Sequence, residues 1–145
     1  WDFDHDAVGW NDRLPNLNAA LGVAQLEDLE NRLAAKRKLT DCYAAAFQDI
    51  PGVDLVDEPP GCRSNQWLVS LRFLDEDPSI AEAKRLQALE TAHAKGLMLR
   101  PVWTLLSKLQ MYSQAPRGDL ATAEDQALRL LNLPSSPQLL ESWHQ

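Results

Sequence analysis

Positive charge is in short supply in this chain. Fourteen Lys and Arg stand against 21 Asp and Glu, a formal net charge of -7 over 145 residues. Without surplus cations to neutralise phosphates, a nucleic-acid partner is excluded as a reading. Long apolar runs are also missing. None approaches the roughly 20 residues that cross a bilayer, so no membrane partner is expected. No basic-plus-apolar leader opens the chain, and the expected location is cytoplasmic. Cysteine is limited to Cys42 and Cys62. Their spacing matches no zinc motif, and His5, His93 and His144 are scattered, so no metal site is expected. The thiols read as two buried or half-buried groups. There is no glycine-rich phosphate loop, no His-Glu-x-x-His and no Gly-x-Ser-x-Gly elbow. No residue is assigned a catalytic role on these grounds.

What is present is ordinary for a folded domain. Apolar residues make up 45% and charged residues 24%, which argues against disorder. The length suits one compact domain. The first residue is Trp1, not Met, which leads to the expectation that the chain starts inside a longer reading frame or was trimmed.

Residues 1–15 show neither helical nor strand period and read as an arm or loop, with Pro15 at a helix entry. Residues 16–145 then form the domain proper. From Asn16 to about Gln48, apolar residues recur at three- and four-residue steps, which predicts a long helix. The stripe changes phase near Glu27–Glu30, so a break is expected there. Ile50-Pro51-Gly52 ends the run. Val53–Val56 is a short strand, and Trp67, Val69, Leu71 and Phe73 alternate through a stronger one. Ser79 is a candidate cap for a helix over Ile80–Lys95, stopped by Gly96. Leu97–Leu99 reads as a strand ending at Pro101. Asp119–Leu131 reads as a helix capped by Asp119, and Gln138–Trp143 as a last short one. This order predicts an α+β domain: a small, mainly antiparallel sheet with helices packed on one face.

Three places bear weighing for chemistry. In Gly9-Trp10-Asn11-Asp12-Arg13, an amide and a guanidinium two residues apart can point at one anion if the segment is extended. The plainer reading is a helix-entry loop whose Arg13 pairs with a carboxylate. In Arg100-Pro101-Val102-Trp103, a cation beside an indole can hold a phosphate or a sugar. The plainer reading is a snorkelling Arg100 and a core Trp103. In the third, Glu27, Asp28 and Glu30 precede Arg32, Lys36, Arg37 and Lys38, a pattern that suits a solvated helix face. His93 reads as a favourable charge near a helix end.

The run from His5 to Gly22, HDAVGWNDRLPNLNAALG, followed by Gln25-Leu26, resembles the DegT/DnrJ/StrS family of sugar aminotransferases. Asn65-Gln66-Trp67, Arg100-Pro101-Val102-Trp103 and Asn132-Leu133-Pro134-Ser135-Ser136 resemble it too, in the family's order. Arg-Pro-Val-Trp is most similar to the branch acting on keto-sugar nucleotides for nonulosonic acid or lipopolysaccharide synthesis. The resemblance implies the small C-terminal domain of an aspartate-aminotransferase-like protein, a fold type I user of pyridoxal phosphate (PLP). The large PLP-binding domain, with its Schiff-base lysine, would be absent. None of Lys36, Lys38, Lys84, Lys95 and Lys108 matches the family's lysine motif.

On that resemblance, Asn11 and Arg13 would serve as cofactor-binding residues, reaching the partner subunit's PLP phosphate in a homodimer. Arg100 and Trp103 would lie at the nucleotide-sugar pocket. Amino transfer would run from an amino acid, typically glutamate, to a nucleotide-linked keto-sugar, and the chain alone would be inactive. One departure stands out: the family usually has Tyr where this chain has Asp12, and a carboxylate beside a phosphate repels it unless Arg13 neutralises it. A family dehydratase and a non-enzymatic binding or oligomerisation module are the alternatives. The uncovered face of such a domain is expected to expose apolar surface.

Overall fold

The structure, a computed structural model, describes Ala7, Gly9 and residues 13–142. The long amphipathic run forms two helices, α1 (Asn16–Glu27) and α2 (Leu29–Phe47). The break falls at Asp28, inside the expected window. Its backbone leaves helical values at φ -104°, ψ 9°, and its carboxylate accepts from Asn31 Nδ2 at 2.9 Å and Arg32 Nε at 3.1 Å. A short acidic side chain that bonds locally competes with the helical ladder, so the chain kinks there.

Strand β1 (Val53–Leu55) pairs antiparallel with β2 (Val69–Phe73). Helix α3 (Pro78–Ala94) begins with Pro78 at its first turn, and its cap is Asp77 rather than Ser79. Asp77 Oδ1 accepts from the Ser79 N–H at 2.8 Å, so Ser79 supplies the donor. At the other end Gly96 stands at φ 78°. The Gly96 N–H donates to the His93 carbonyl and the Leu97 N–H to the Ala92 carbonyl, both at 2.9 Å. That pairing is the Schellman closure for which glycine is favoured. His93 does more than sit near a helix end: its Nε2 lies 2.7 Å from the Leu99 carbonyl oxygen, tying the helix to the strand that follows.

That strand, β3, is Arg100–Pro101, the last two residues of the strand expected to end at Pro101. Two 3-10 turns, Leu106–Lys108 and Gln110–Tyr112, lead on to α4 (Ala121–Arg129). Asp119 Oδ1 accepts the Ala121 N–H at 3.0 Å, so this carboxylate does serve the helix start. The helix does not reach Leu131, however. Leu130–Leu133 is strand β4, and it occupies an interior position in the sheet order β1-β2-β4-β3. Arg129 marks the change, its guanidinium donating to the Phe73 carbonyl at 3.3 Å and to the Asp75 carbonyl. Helix α5 (Leu139–Ser142) closes the described chain.

All pairings are antiparallel, with Val69 opposite Leu133, Leu71 opposite Leu131 and Arg100 opposite Asn132. Because side chains alternate between faces, the register sorts the sheet. Val69, Leu71, Phe73, Leu131 and Leu133 turn to the helices, where Leu39, Tyr43, Ala81 and Leu89 complete the core. Ser70, Arg72, Asn132 and Arg100 share the opposite face. There Arg72 forms a two-pronged bridge to Asp54, at 3.0 and 2.6 Å. The α+β architecture is therefore as the pattern predicts, with a different set of residues building one interior strand.

Candidate functional site

Asn11 lies outside the described residues. Arg13 is described and exposed, ahead of α1. The two other expected site residues, Arg100 and Trp103, stand at and just beyond β3. Trp103 is 52% exposed, so it is not the core indole of the plainer reading.

The structure brings Trp103 against Trp67, with ring centroids 5.7 Å apart and planes tilted by 37°. Tilted pairs at this spacing are favourable, worth about 0.5–1.5 kcal/mol beyond their buried area. Both tryptophans remain more than half exposed. Around them opens a cleft of about 350 Å³, lined by Trp67, Arg100, Trp103, Asn132, Ser135 and Ser136 among others. Each of these comes from one of three segments far apart in sequence. Asn132 is buried, and its amide is used on both sides: it accepts from Ser70 Oγ at 2.8 Å and donates to the Pro101 carbonyl at 3.3 Å. It therefore fixes β3, and with it the origin of Arg100.

Trp67 reaches this place because the chain turns just before it. Gln66 stands at φ 52°, the left-handed region that residues other than glycine seldom hold. Its surroundings over-determine it. Gln66 Nε2 donates to Glu58 Oε1 at 2.7 Å, and the same oxygen accepts from the Ser64 N–H at 2.8 Å and Arg37 Nη1 at 3.2 Å. The Ser64 N–H, followed by the Arg37 charge and the Gln66 amide, holds the Glu58 carboxyl below its ordinary range against the pull of partial burial.

Here the solvated-face reading of α2 fails for two residues. Lys36 and Arg37 are half-buried, and their partners are 21 to 99 positions away in sequence. Lys36 Nζ donates to the Ser135 carbonyl at 2.7 Å and to the Gln66 carbonyl at 3.1 Å. Burial pushes its ammonium pKa down. One helical turn on, Thr40 donates to the Lys36 carbonyl and lies 3.4 Å from Gln66 Oε1. Another turn on, the Tyr43 hydroxyl donates to the Pro134 carbonyl at 2.8 Å, and burial raises its pKa. Cys42 is half-buried as expected, whereas Cys62 is exposed, and both are free thiols.

A second pocket, of about 320 Å³, lies on the helix side of Pro101–Trp103. Its buried cation, Arg85, donates to the Leu128 carbonyl at 2.9 Å and sits 3.8 Å from Glu82, which ties α3 to α4. The aromatic cleft is the better candidate, because the separated motif segments meet there.

Residues 2–143 match the profile of the DegT/DnrJ/EryC1/StrS aminotransferase family. This chain belongs to that family. Among the family's curated members, a GDP-perosamine synthase of Escherichia coli O157:H7 is 31% identical over 137 residues, 93% of this chain and 35% of that protein. A putative pyridoxal phosphate-dependent aminotransferase, EpsN of Bacillus subtilis, is 32% identical over 96% of this chain and 35% of its own length. Among solved structures, Helicobacter pylori PseC, an aminotransferase of pseudoaminic acid biosynthesis, superposes with a TM-score of 0.76 at 25% identity, covering 94% of this chain and 36% of that one. A GDP-4-keto-6-deoxy-D-mannose-3-dehydratase of E. coli with bound hydrated PLP shares the fold, with a TM-score of 0.72 at 22% identity over 89% of this chain and 33% of that one. The chain thus spans about a third of the length of its DegT/DnrJ/EryC1/StrS relatives.

Whether the described residues could anchor PLP is decided by the donor set. A Schiff-base lysine needs a free amine beside the cofactor. Lys36 is committed to two carbonyls, Lys84 pairs with Asp75 at 2.5 Å, and no lysine lines the aromatic cleft. The lining of the aromatic cleft therefore does not fit the anchor of that cofactor. It offers a cation, two indoles and hydroxyls at one opening, a set suited to a phosphorylated or glycosylated ligand.

Proposed function

We propose that this chain is the C-terminal part of a PLP-dependent aminotransferase that moves an amino group from an amino acid, glutamate by preference, to a nucleotide-linked keto-sugar. The observation that carries the reading is the meeting of three family-like segments, at Trp67, at Arg100–Trp103 and at Asn132–Ser136, in one cleft. Arg100 would face the diphosphate, the paired indoles would form a wall for a sugar or base, and Ser135 and Ser136 would meet hydroxyl groups. Asn11 and Arg13 would extend toward the PLP phosphate of the partner subunit in a cytoplasmic homodimer. PLP would supply the electron sink for amino transfer, held by the rest of the protein.

The test has two arms. The longer reading frame containing this chain is expressed and examined for the visible absorbance of bound PLP and for its loss on borohydride treatment. Glutamate-dependent amination of a keto-sugar nucleotide is then measured. A protein that never takes up PLP overturns the proposal. The 145-residue chain alone is expected to give no turnover above a free-PLP control, and turnover would refute that part. The dehydratase structure matches at the level of fold alone, so amino transfer is the preferred reading.

A further inference from the structure

Lys36 belongs to neither the core nor the solvated face, and what it touches suggests a role. Its ammonium joins two segments that have no covalent reason to be close: the Gln66 carbonyl and the Ser135 carbonyl lie 3.1 and 2.7 Å from the same nitrogen. Each of those residues abuts a wall of the aromatic cleft. Gln66 directly precedes Trp67, and Ser135 Oγ donates to the Trp67 carbonyl at 2.5 Å. Gln66 is also the residue held at φ 52°. A left-handed conformation at a residue with a side chain persists only where its surroundings enforce it. An ammonium bonded to the carbonyl of that same residue is such a restraint.

Geometry on α2 supports this. Lys36, Thr40 and Tyr43 are spaced by four and three, so they form one row down a single helix face. The row meets Gln66 through Lys36 and Thr40, and the 134–135 turn through Lys36 and Tyr43. The helix therefore carries a polar strip that docks both loops at once. Deleting the ammonium would leave two carbonyls without this donor and Gln66 without one of its restraints.

We propose that Lys36 is a positioning residue of the aromatic cleft, drawing the Gln66 and Ser135 carbonyls together and so setting Trp67 against Trp103. It is not one of the residues that line the cleft; it acts through Gln66, Ser135 and the Trp67 they hold. The proposal deepens the nucleotide-sugar reading and rests on it only for the ligand arm of the test.

Two indoles 5.7 Å apart couple electronically, so their contact is read as an exciton couplet in circular dichroism. The couplet is defined as the difference between the unaltered chain and Trp103→Phe. Lys36→Met, which keeps the stem and removes the ammonium, is expected to lose the couplet as Trp103→Phe does while retaining the helical signal. Lys36→Arg, with donors enough for both carbonyls, is expected to restore most of it. Were Lys36→Met not to fold, Lys36→Gln, one atom shorter and uncharged, takes its place, and its couplet should fall because it cannot reproduce the ammonium's bonds to the Gln66 and Ser135 carbonyls. A full couplet in folded Lys36→Met, or in Lys36→Gln if that variant must decide, overturns the proposal, because a merely structural lysine would change stability and leave the indole contact intact.

GDP titrated against tryptophan emission reads the consequence, with about tenfold weaker binding expected for Lys36→Met from the misplaced ring. Equal GDP affinity in the two proteins, with the couplet lost, overturns the claim that positioning serves the cleft. An unaltered chain blind to GDP counts against the nucleotide reading of the cleft, while the couplet still decides the role of Lys36.

Discussion

Glu58 gathers three donors on one carboxylate oxygen, from the Ser64 backbone and the side chains of Arg37 and Gln66. Its folded pKa is lowered, so the stabilisation it contributes is fully present above its ordinary value near 4.5 and is lost as pH falls through the folded value. The Ser64 amide is therefore expected to shift with an acidic midpoint below 4.5 by NMR, and Glu58→Gln to abolish that titration. A midpoint at or above the ordinary value would contradict the assignment. Residues of this kind were hard to read in advance. Arg100 and Trp103 were legible because a cation and an indole stood side by side. Trp67 and Ser135 carried only a family-like pattern, and their meeting depends on a turn at Gln66 that no local rule foretells. Lys36 had a readable signal that charge patterning hid: it lies three residues before buried Leu39 and seven before buried Tyr43, on the same helical stripe.

At the scale of elements, punctuation was legible and the leucine-rich strand was not. Gly96 was readable as a helix stop because only a residue tolerant of positive φ closes a Schellman motif without strain. A side chain at Gly96 would meet no atom within 4 Å, so the cost of replacement is backbone strain alone. Gly96→Ala is expected to destabilise the domain by about 1 kcal/mol in chemical denaturation, with Gly96→Asn closer to wild type. Gly118, where φ is not positive and the space is equally open, serves as the control, and Gly118→Ala should show no such loss. Equal effects at the two sites would remove the argument. Strand β4 was missed because Leu130-Leu131-Asn132-Leu133 follows a helix without glycine or proline, and leucine favours helices locally. Its extended state is stabilised by what is remote: β2 on one side, β3 on the other and two partners for the buried Asn132 amide.

At the scale of the whole molecule, helix α1 adds nothing to the core of the described residues. Helix α1 buries no residue, and Leu17, Leu21 and Leu26 are 81%, 60% and 66% exposed. The periodicity that made α1 legible as a helix predicts a buried stripe, and the described residues do not bury it. Covering a leucine fully contributes about 1.5–3 kcal/mol, so several at once favour association strongly. The 145-residue chain is accordingly expected to self-associate through α1, with a concentration-dependent mass in sedimentation equilibrium. Leu17→Glu combined with Leu21→Glu should return it to a monomer. Because neither side chain is buried, the double variant should match the parent's stability within about 0.5 kcal/mol when both are compared as dilute monomers. A parent chain that stays monomeric on concentration, or a double variant that still associates, would show that α1 is not the adhesive face. The couplet of Trp67 and Trp103 should be unchanged in the double variant, since the row that sets it runs down α2 beyond the break at Asp28.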